Sequence, residues 1–290
     1  MSKSVNEAFD IYAKNLIPSK ADRKKASSHR DSIETKLKSE FGLYRMYESG
    51  SWKHGTGVVG FSDVDYFISL KTAKPLYGSS ALASVKTAMQ ERFPTTTVRV
   101  STPAVVLDFG NGYERVELIP AYPSYTLENN DIGYSIPGVR ENWMESSPES
   151  HLKYVNKCNQ QKNVKGGAKK LARLVKAWKY LNDVPISSFY LEMRASKYMT
   201  TQSSVILAVD MKIFLSRILT EELSAMNDPT GNTGRIYPCS SDSKHAEAMS
   251  KLKTAVTRAE KAVAANKDGK VSEAFLYWNL IFSGTFPNQS

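Results

Sequence analysis

The stretch Gly50-Ser51-Trp52-Lys53-His54-Gly55-Thr56-Gly57-Val58-Val59-Gly60-Phe61-Ser62-Asp63-Val64-Asp65 concentrates residue types that can do chemistry. A Gly-Ser turn can offer backbone N–H groups and a hydroxyl to a phosphate. Asp63 and Asp65 stand two apart at the start of Val64 to Leu70, a β-branched and aromatic run that reads as a strand. Side chains alternate along a strand, so the two carboxylates share one face while Val64 and Tyr66 point into a core. Like charges on one face repel, and the arrangement persists when a cation lies between them. Carboxylate oxygens are hard donors that suit Mg²⁺. Two ions need a third ligand, and Glu117 supplies it, the acid at the centre of Arg115-Val116-Glu117-Leu118-Ile119-Pro120-Ala121. Facing away from Val116 and Leu118, it is costly there unless solvated, paired or metal-bound. Asp108, beside a turn on the preceding strand, competes for this role and reads as a solvated turn residue.

Elements must hold these groups in place. The first 40 residues read as helix, with Ser19 to Phe41 one continuous segment stopped by Gly42. Ala81 to Phe93 reads as helix. Thr97 to Phe109 and Tyr113 to Ile119 read as two strands joined at Gly110-Asn111-Gly112, a hairpin signal. Residues 122–148, rich in Pro, Asn, Ser and Gly, read as loop and as the domain boundary. Helical texture follows at 165–182, 201–226, 241–266 and 271–282, with a loop at Asn227 to Asn232. The expected class is α+β, with residues 1–145 forming an N-terminal helix and a mixed-sheet core, and 146–290 a helical domain.

With 290 residues, 41% of them hydrophobic and 23% charged, the composition is globular and excludes a disordered tail or a coiled coil. Two distant cysteines and four scattered histidines give neither a disulfide framework nor a zinc spacing. Neither a secretory h-region at the start nor a membrane-length apolar run is visible, so a cytoplasmic setting is expected. The 39 basic and 29 acidic residues leave a charge of +10, which asks for an anionic partner. Nine of these bases lie in residues 151–179, a stretch with no acid. In the helix 165–182, Leu171, Leu174, Val175, Trp178 and Leu181 form an apolar stripe. Lys169, Arg173 and Lys176 fall opposite, as a solvated basic face. Lys179 lies at the stripe's edge, where a buried stem could carry its ammonium into a cleft.

Gly50-Ser51, then Asp63-Val64-Asp65 13 residues on, then Glu117, resembles the signature of the polymerase-β-like nucleotidyltransferase superfamily. Leu171 to Leu181, Ile186-Ser187-Ser188-Phe189-Tyr190-Leu191-Glu192, Asp228-Pro229 and the closing helices resemble the bacterial cyclic-oligonucleotide synthases of antiphage signalling. Those are relatives of cyclic GMP-AMP synthase and oligoadenylate synthase, and the likeness spans about residues 20–285. The third acid, commonly Asp there, is Glu here. The resemblance implies a polymerase-β-like core and an oligoadenylate-synthase-like helical domain, with the active-site cleft between two lobes. It implies Asp63, Asp65 and Glu117 as catalytic metal ligands for two Mg²⁺ ions, with Mn²⁺ as an alternative. It places Gly50, Ser51, Lys176, Lys179, Ser188 and Phe189 at the nucleotide, Lys179 over the donor and Phe189 stacked on the base. His54 and Lys53 could touch the triphosphate.

The implied reaction condenses NTPs (ATP, GTP or pyrimidine NTPs) into a cyclic di- or trinucleotide with loss of pyrophosphate. A separate effector would read the product, and the enzyme would act as a monomer with no membrane or stable nucleic-acid partner. Two other readings stay open. One is another transferase of the superfamily, tailing RNA or adenylylating a protein or small molecule. The other is a catalytically silent nucleic-acid-binding module.

Overall fold

A strand buried along nearly its whole length sits where a parallel sheet places its centre. In the computed structural model, which describes residues 3–26, 28–61, 63–110, 114–128 and 130–290, that strand is β2 (Val64–Leu70). It lies between β1 (Leu43–Ser49), antiparallel, and β5 (Glu114–Thr126), parallel, in a register that sets Asp65 beside Glu117. Parallel pairing needs a crossover. It runs through α5 (Gly78–Arg92), β3 (Thr97–Ser101) and β4 (Ala104–Phe109), giving the order β1-β2-β5-β4-β3. Val64, Tyr66, Ile68 and Leu70 form one core with Leu82, Val85 and Met89 of α5 and with Ile33 and Leu37 of α3 (Arg30–Phe41). The opposite face of β2 carries Asp65, as period-two alternation requires.

The α+β class stands, with several local corrections. Residues 97–109 are two strands paired as a hairpin around Thr102-Pro103. β4 and β5 pair antiparallel as the turn signal implied, but Asn111 and Gly112 lie outside the described residues. Ser19 to Phe41 is two helices, α2 (Lys20–Ala26) and α3. Residues 122–148 are largely strand: β5 runs on to Thr126 and pairs with β6 (Ile132–Pro137), which pairs with β7 (Trp143–Ser146). Pro123 and Pro137 argued for loop, yet proline is tolerated at sheet edges where no ladder donor is needed.

The helical lobe comprises α6 (Pro148–Gln160), α7 (Gly167–Leu181), α8 (Ser188–Met199), α9 (Leu207–Thr220), α10 (Asp242–Lys267) and α11 (Val271–Ile281). α6, with Pro at its first turn where no N–H is missed, was not anticipated. The expected helix 201–226 is shorter, Leu207–Thr220. The first helix, α1 (Val5–Asn15), is not part of the sheet core. Phe9 meets Trp278 edge-on at 4.7 Å, and Val5, Ala8 and Tyr12 join the helical core, so the division at 145 fails for the chain's first turns. Among the described residues no helix is long and apolar enough to cross a membrane.

Candidate active site at the junction of the lobes

Asp63 precedes β2 and Asp65 lies within it, and β5 brings Glu117 alongside Asp65. The predicted acid face therefore forms from neighbouring strands. Arg115, two residues before Glu117 and so on the same face, bridges the acids. Its guanidinium lies 3.2 Å from Asp63, 3.1 Å from Glu117 and 3.8 Å from Asp108. Asp108 thus belongs to the rim of this cluster, held also by Arg99 at 3.5 Å, and is not a free turn residue. Burial, and then the neighbouring Glu117, push the Asp63 carboxyl up to about 7. The same causes, joined by Asp63, raise Asp65 well above the carboxylate range. Lys176 and the Ser51 N–H, which donates to the Asp65 carboxylate, act the other way.

Ser51 reaches Asp65 because the chain turns sharply after β1. α4 (Gly50–His54) is a single turn, and Gly50 opens it at φ +61°, a region that penalises side chains. A Cβ on Gly50 would stand 1.9 Å from the Asp65 carboxylate oxygen. Gly50→Ala must displace either the turn or the carboxylate. It is expected to cut turnover about 100-fold, the cost of an ångström-scale misplacement in a catalytic site. Initial rates beside a thermal melt will separate that loss from unfolding.

The helical lobe answers with Lys179 and Ser188. Lys179 Nζ donates to Ser188 Oγ at 3.0 Å, and the Tyr180 hydroxyl lies 3.0 Å from the same oxygen. Burial, and then nearby Lys176, lower the Lys179 ammonium to about 8. Phe189 is 36% exposed, edge-on to His151 at 4.9 Å, and so keeps open ring surface. Phe61, not singled out from sequence, stacks parallel on Tyr180 at 5.3 Å across the lobes.

Lys176 departs from expectation. It is fully buried, 3.1 Å from Glu192 and 3.0 Å from Thr56 Oγ1, so it braces the site from behind and does not line it. His54 is likewise buried on Glu192 and turned from any triphosphate. The solvated basic face is corrected too: Arg173 is buried and donates to the Gly55 carbonyl at 2.7 Å, while Lys169 donates to Asn156 at 2.7 Å. Lys153 and Lys170 are paired with Asp131 and Asp10. Lys153, Lys169, Lys170, Arg173 and Lys176 are thus engaged within the fold, while Lys179 stands beside Ser188.

Residues 3–159 match the model of the Second Messenger Oligonucleotide or Dinucleotide Synthetase domain, more than half of the chain. The chain belongs to that family. It is accordingly a nucleotidyltransferase of the second-messenger synthetase family. No curated protein sequence matches this synthetase. Among solved structures it is similar to Escherichia coli MS115-1 CdnC with ATP, at TM-score 0.74 and 17% identity, covering 98% of this chain and 99% of that one. Bradyrhizobium diazoefficiens CdnG in complex with GTP gives 0.71 and 14%, over 96% and 95%. Vibrio cholerae DncV cyclic AMP-GMP synthase with nonhydrolyzable GTP gives 0.65 and 16%, over 97% and 82%. At such identities the likeness is one of fold, and it extends over both lobes of the synthetase.

Proposed function

We propose that this synthetase condenses nucleoside triphosphates into a cyclic di- or trinucleotide, which a separate effector reads in antiphage defence. The observation that carries the reading is the single acid face of Asp63, Asp65 and Glu117, bounded by the Gly50-Ser51 turn and by Lys179 with Ser188. The relatives solved with ATP and GTP make those the first substrates to test.

The acid face fits a divalent cation. Burial and the neighbouring Glu117 raise the Asp63 carboxyl, and Arg115 lies against both acids and partly neutralises them. Among the described residues no group of three His, Cys, Asp or Glu is gathered tightly enough to hold a metal ion as they stand, and Arg115 lies between Asp63 and Glu117. Asp63, Asp65 and Glu117 would hold two Mg²⁺ ions, or Mn²⁺. When bound, these supply charge neutralisation at the triphosphate and a lowered pKa at the attacking ribose hydroxyl. Gly50 and Ser51 position the donor triphosphate. Lys179 places a positive charge beside it, and Ser188 and Phe189 hold the base, the ring by stacking. A ribose hydroxyl oxygen bonds to the donor's α-phosphorus as the bond to the leaving pyrophosphate breaks. A second transfer within the linear product closes the ring. A cytoplasmic monomer fits these steps.

Incubation with the four NTPs and Mg²⁺ or Mn²⁺, then phosphatase and mass analysis, tests the reading. A phosphatase-resistant species with the mass of a cyclic oligonucleotide is expected. Labelled RNA or protein with no small product overturns it. Lys179→Ala is expected to raise KM for NTP about tenfold, the loss of one charge-assisted contact. Because Lys179 gives up its proton near 8, the wild-type KM should climb as pH rises past that value, while the variant's should not.

A further inference from the structure

The motif Ser188-Phe189-Tyr190-Leu191-Glu192 ends in an acid that the proposed reaction leaves unused. Glu192 lies one helical turn beyond Ser188 on α8, so both point to the same side, and Glu192 is almost completely buried. A buried carboxylate is costly unless every lone pair is met. Here one oxygen bonds His54 Nδ1, and the other takes the Thr56 hydroxyl and the Lys176 ammonium. Replacing such a cluster with apolar residues often costs no stability, so its presence asks for a further reason.

The partners supply one. His54 closes α4, and Thr56 follows two residues on. The Thr56 N–H donates to the Ser51 carbonyl at 2.9 Å, and the Ser51 N–H donates to the Asp65 carboxylate. Arg173 holds the Gly55 carbonyl between His54 and Thr56. A chain of hydrogen bonds therefore runs from Glu192 through Thr56 and Ser51 to Asp65, crossing from the helical lobe to the sheet. The geometry points to Glu192 as a positioning residue that fixes, through His54, Thr56 and Lys176, the turn holding Ser51 against Asp65. This rests on the transferase reading and adds to it the means by which the helical lobe sets the catalytic strand.

The test compares Glu192→Gln, Thr56→Val, their double variant and Asp210→Asn, each well below its own melting temperature. Asp210 is an independent buried acid of the helical lobe, bonded to the Tyr198 hydroxyl and the Ile206 N–H, and it reports the effect of destabilisation alone. Glu192→Gln and Thr56→Val are each expected to lower kcat/KM for NTP about 30-fold, in line with a sub-ångström misplacement. The double variant should lose little more than either alone, as members of one chain do. Asp210→Asn should keep wild-type kinetics. If Glu192→Gln does not fold, Thr56→Val decides alone, because it removes one hydroxyl and keeps the volume. Wild-type kcat/KM in folded Glu192→Gln or Thr56→Val overturns the inference, as do fully multiplicative losses. A wild-type enzyme that makes no nucleotide product instead overturns the transferase reading beneath it.

Discussion

Asp63→Asn combined with Asp65→Asn is expected to abolish nucleotide condensation while raising the melting temperature of the metal-free protein. The loss should be about 10³-fold or more, since one preorganised transition-state contact already accounts for 10²–10³ and on the proposed mechanism this pair would hold the charge-neutralising ions. The gain in stability follows from the same crowding. Asp63 is raised from 3.8 to about 7, so between those values the folded state keeps a proton that the unfolded state has lost. Its contribution is therefore present at low pH and falls away as pH rises through that window. Asp65 is shifted in the same direction by burial and by Glu117. At pH 7.5 the unfolded chain has shed both protons, whereas burial and Glu117 oppose their loss in the folded state, so the acids work against folding and the neutral amides remove that cost. A divalent cation, binding only the folded state, should raise the wild-type midpoint and leave the variant's unchanged. Pyrophosphate release and melts with and without cation read both effects. Retained synthesis sinks the site assignment, and a lowered metal-free midpoint sinks the electrostatic argument.

The acid face could be read before the fold was known because strand alternation is a local rule. Asp63 and Asp65 need only period two to share a face, and so does Arg115 with Glu117. What alternation does not give is which strands become neighbours. The parallel pairing of β2 and β5, which makes one site of three acids, follows from a crossover of some 40 residues. Helix α7 shows a second limit. Its period assigned Arg173 and Lys176 correctly to the side away from the apolar stripe, but period says nothing about what meets that side. The residues after α4 pack there, so both charges are buried among Gly55, Thr56 and Glu192. The same contact turns His54 inward. The place of α1 in the helical core is likewise tertiary, since its amphipathic pattern would fit either lobe. Strands β6 and β7 are hidden because Gly133, Pro137 and Gly138 in and between them speak for loop, and no local rule shows that Pro137 falls at the last residue of a strand.

Lys176→Met is expected to destabilise the fold by about 3–5 kcal/mol, the usual cost of stranding a buried partner charge. In a chain of this size that is a fall of about 5–8 °C in Tm. Both members of the pair are buried, so solvent screens neither. Burial alone would raise the Glu192 carboxyl, but Lys176, His54 and Thr56 outweigh it and hold the group well below the usual range. The unfolded chain takes up its proton near the ordinary value of 4.5. Above that the wild type enjoys the full contribution of Glu192, and below it the contribution is lost as pH falls. Without Lys176 the folded carboxyl is less depressed, so the variant loses less on acidification. The gap between the two melting curves should narrow below pH 4.5, the value at which the unfolded Glu192 protonates. Adding Glu192→Gln to Lys176→Met removes the carboxylate that Lys176→Met strands and should recover part of the loss, a coupling that thermal melts of the four proteins measure directly. Recovery of stability without recovery of turnover is the expected pattern, because the neutral pair fills the space but no longer fixes the turn that carries Ser51. A Lys176→Met midpoint within about 2 °C of wild type would show that the ammonium is not held as the structure has it.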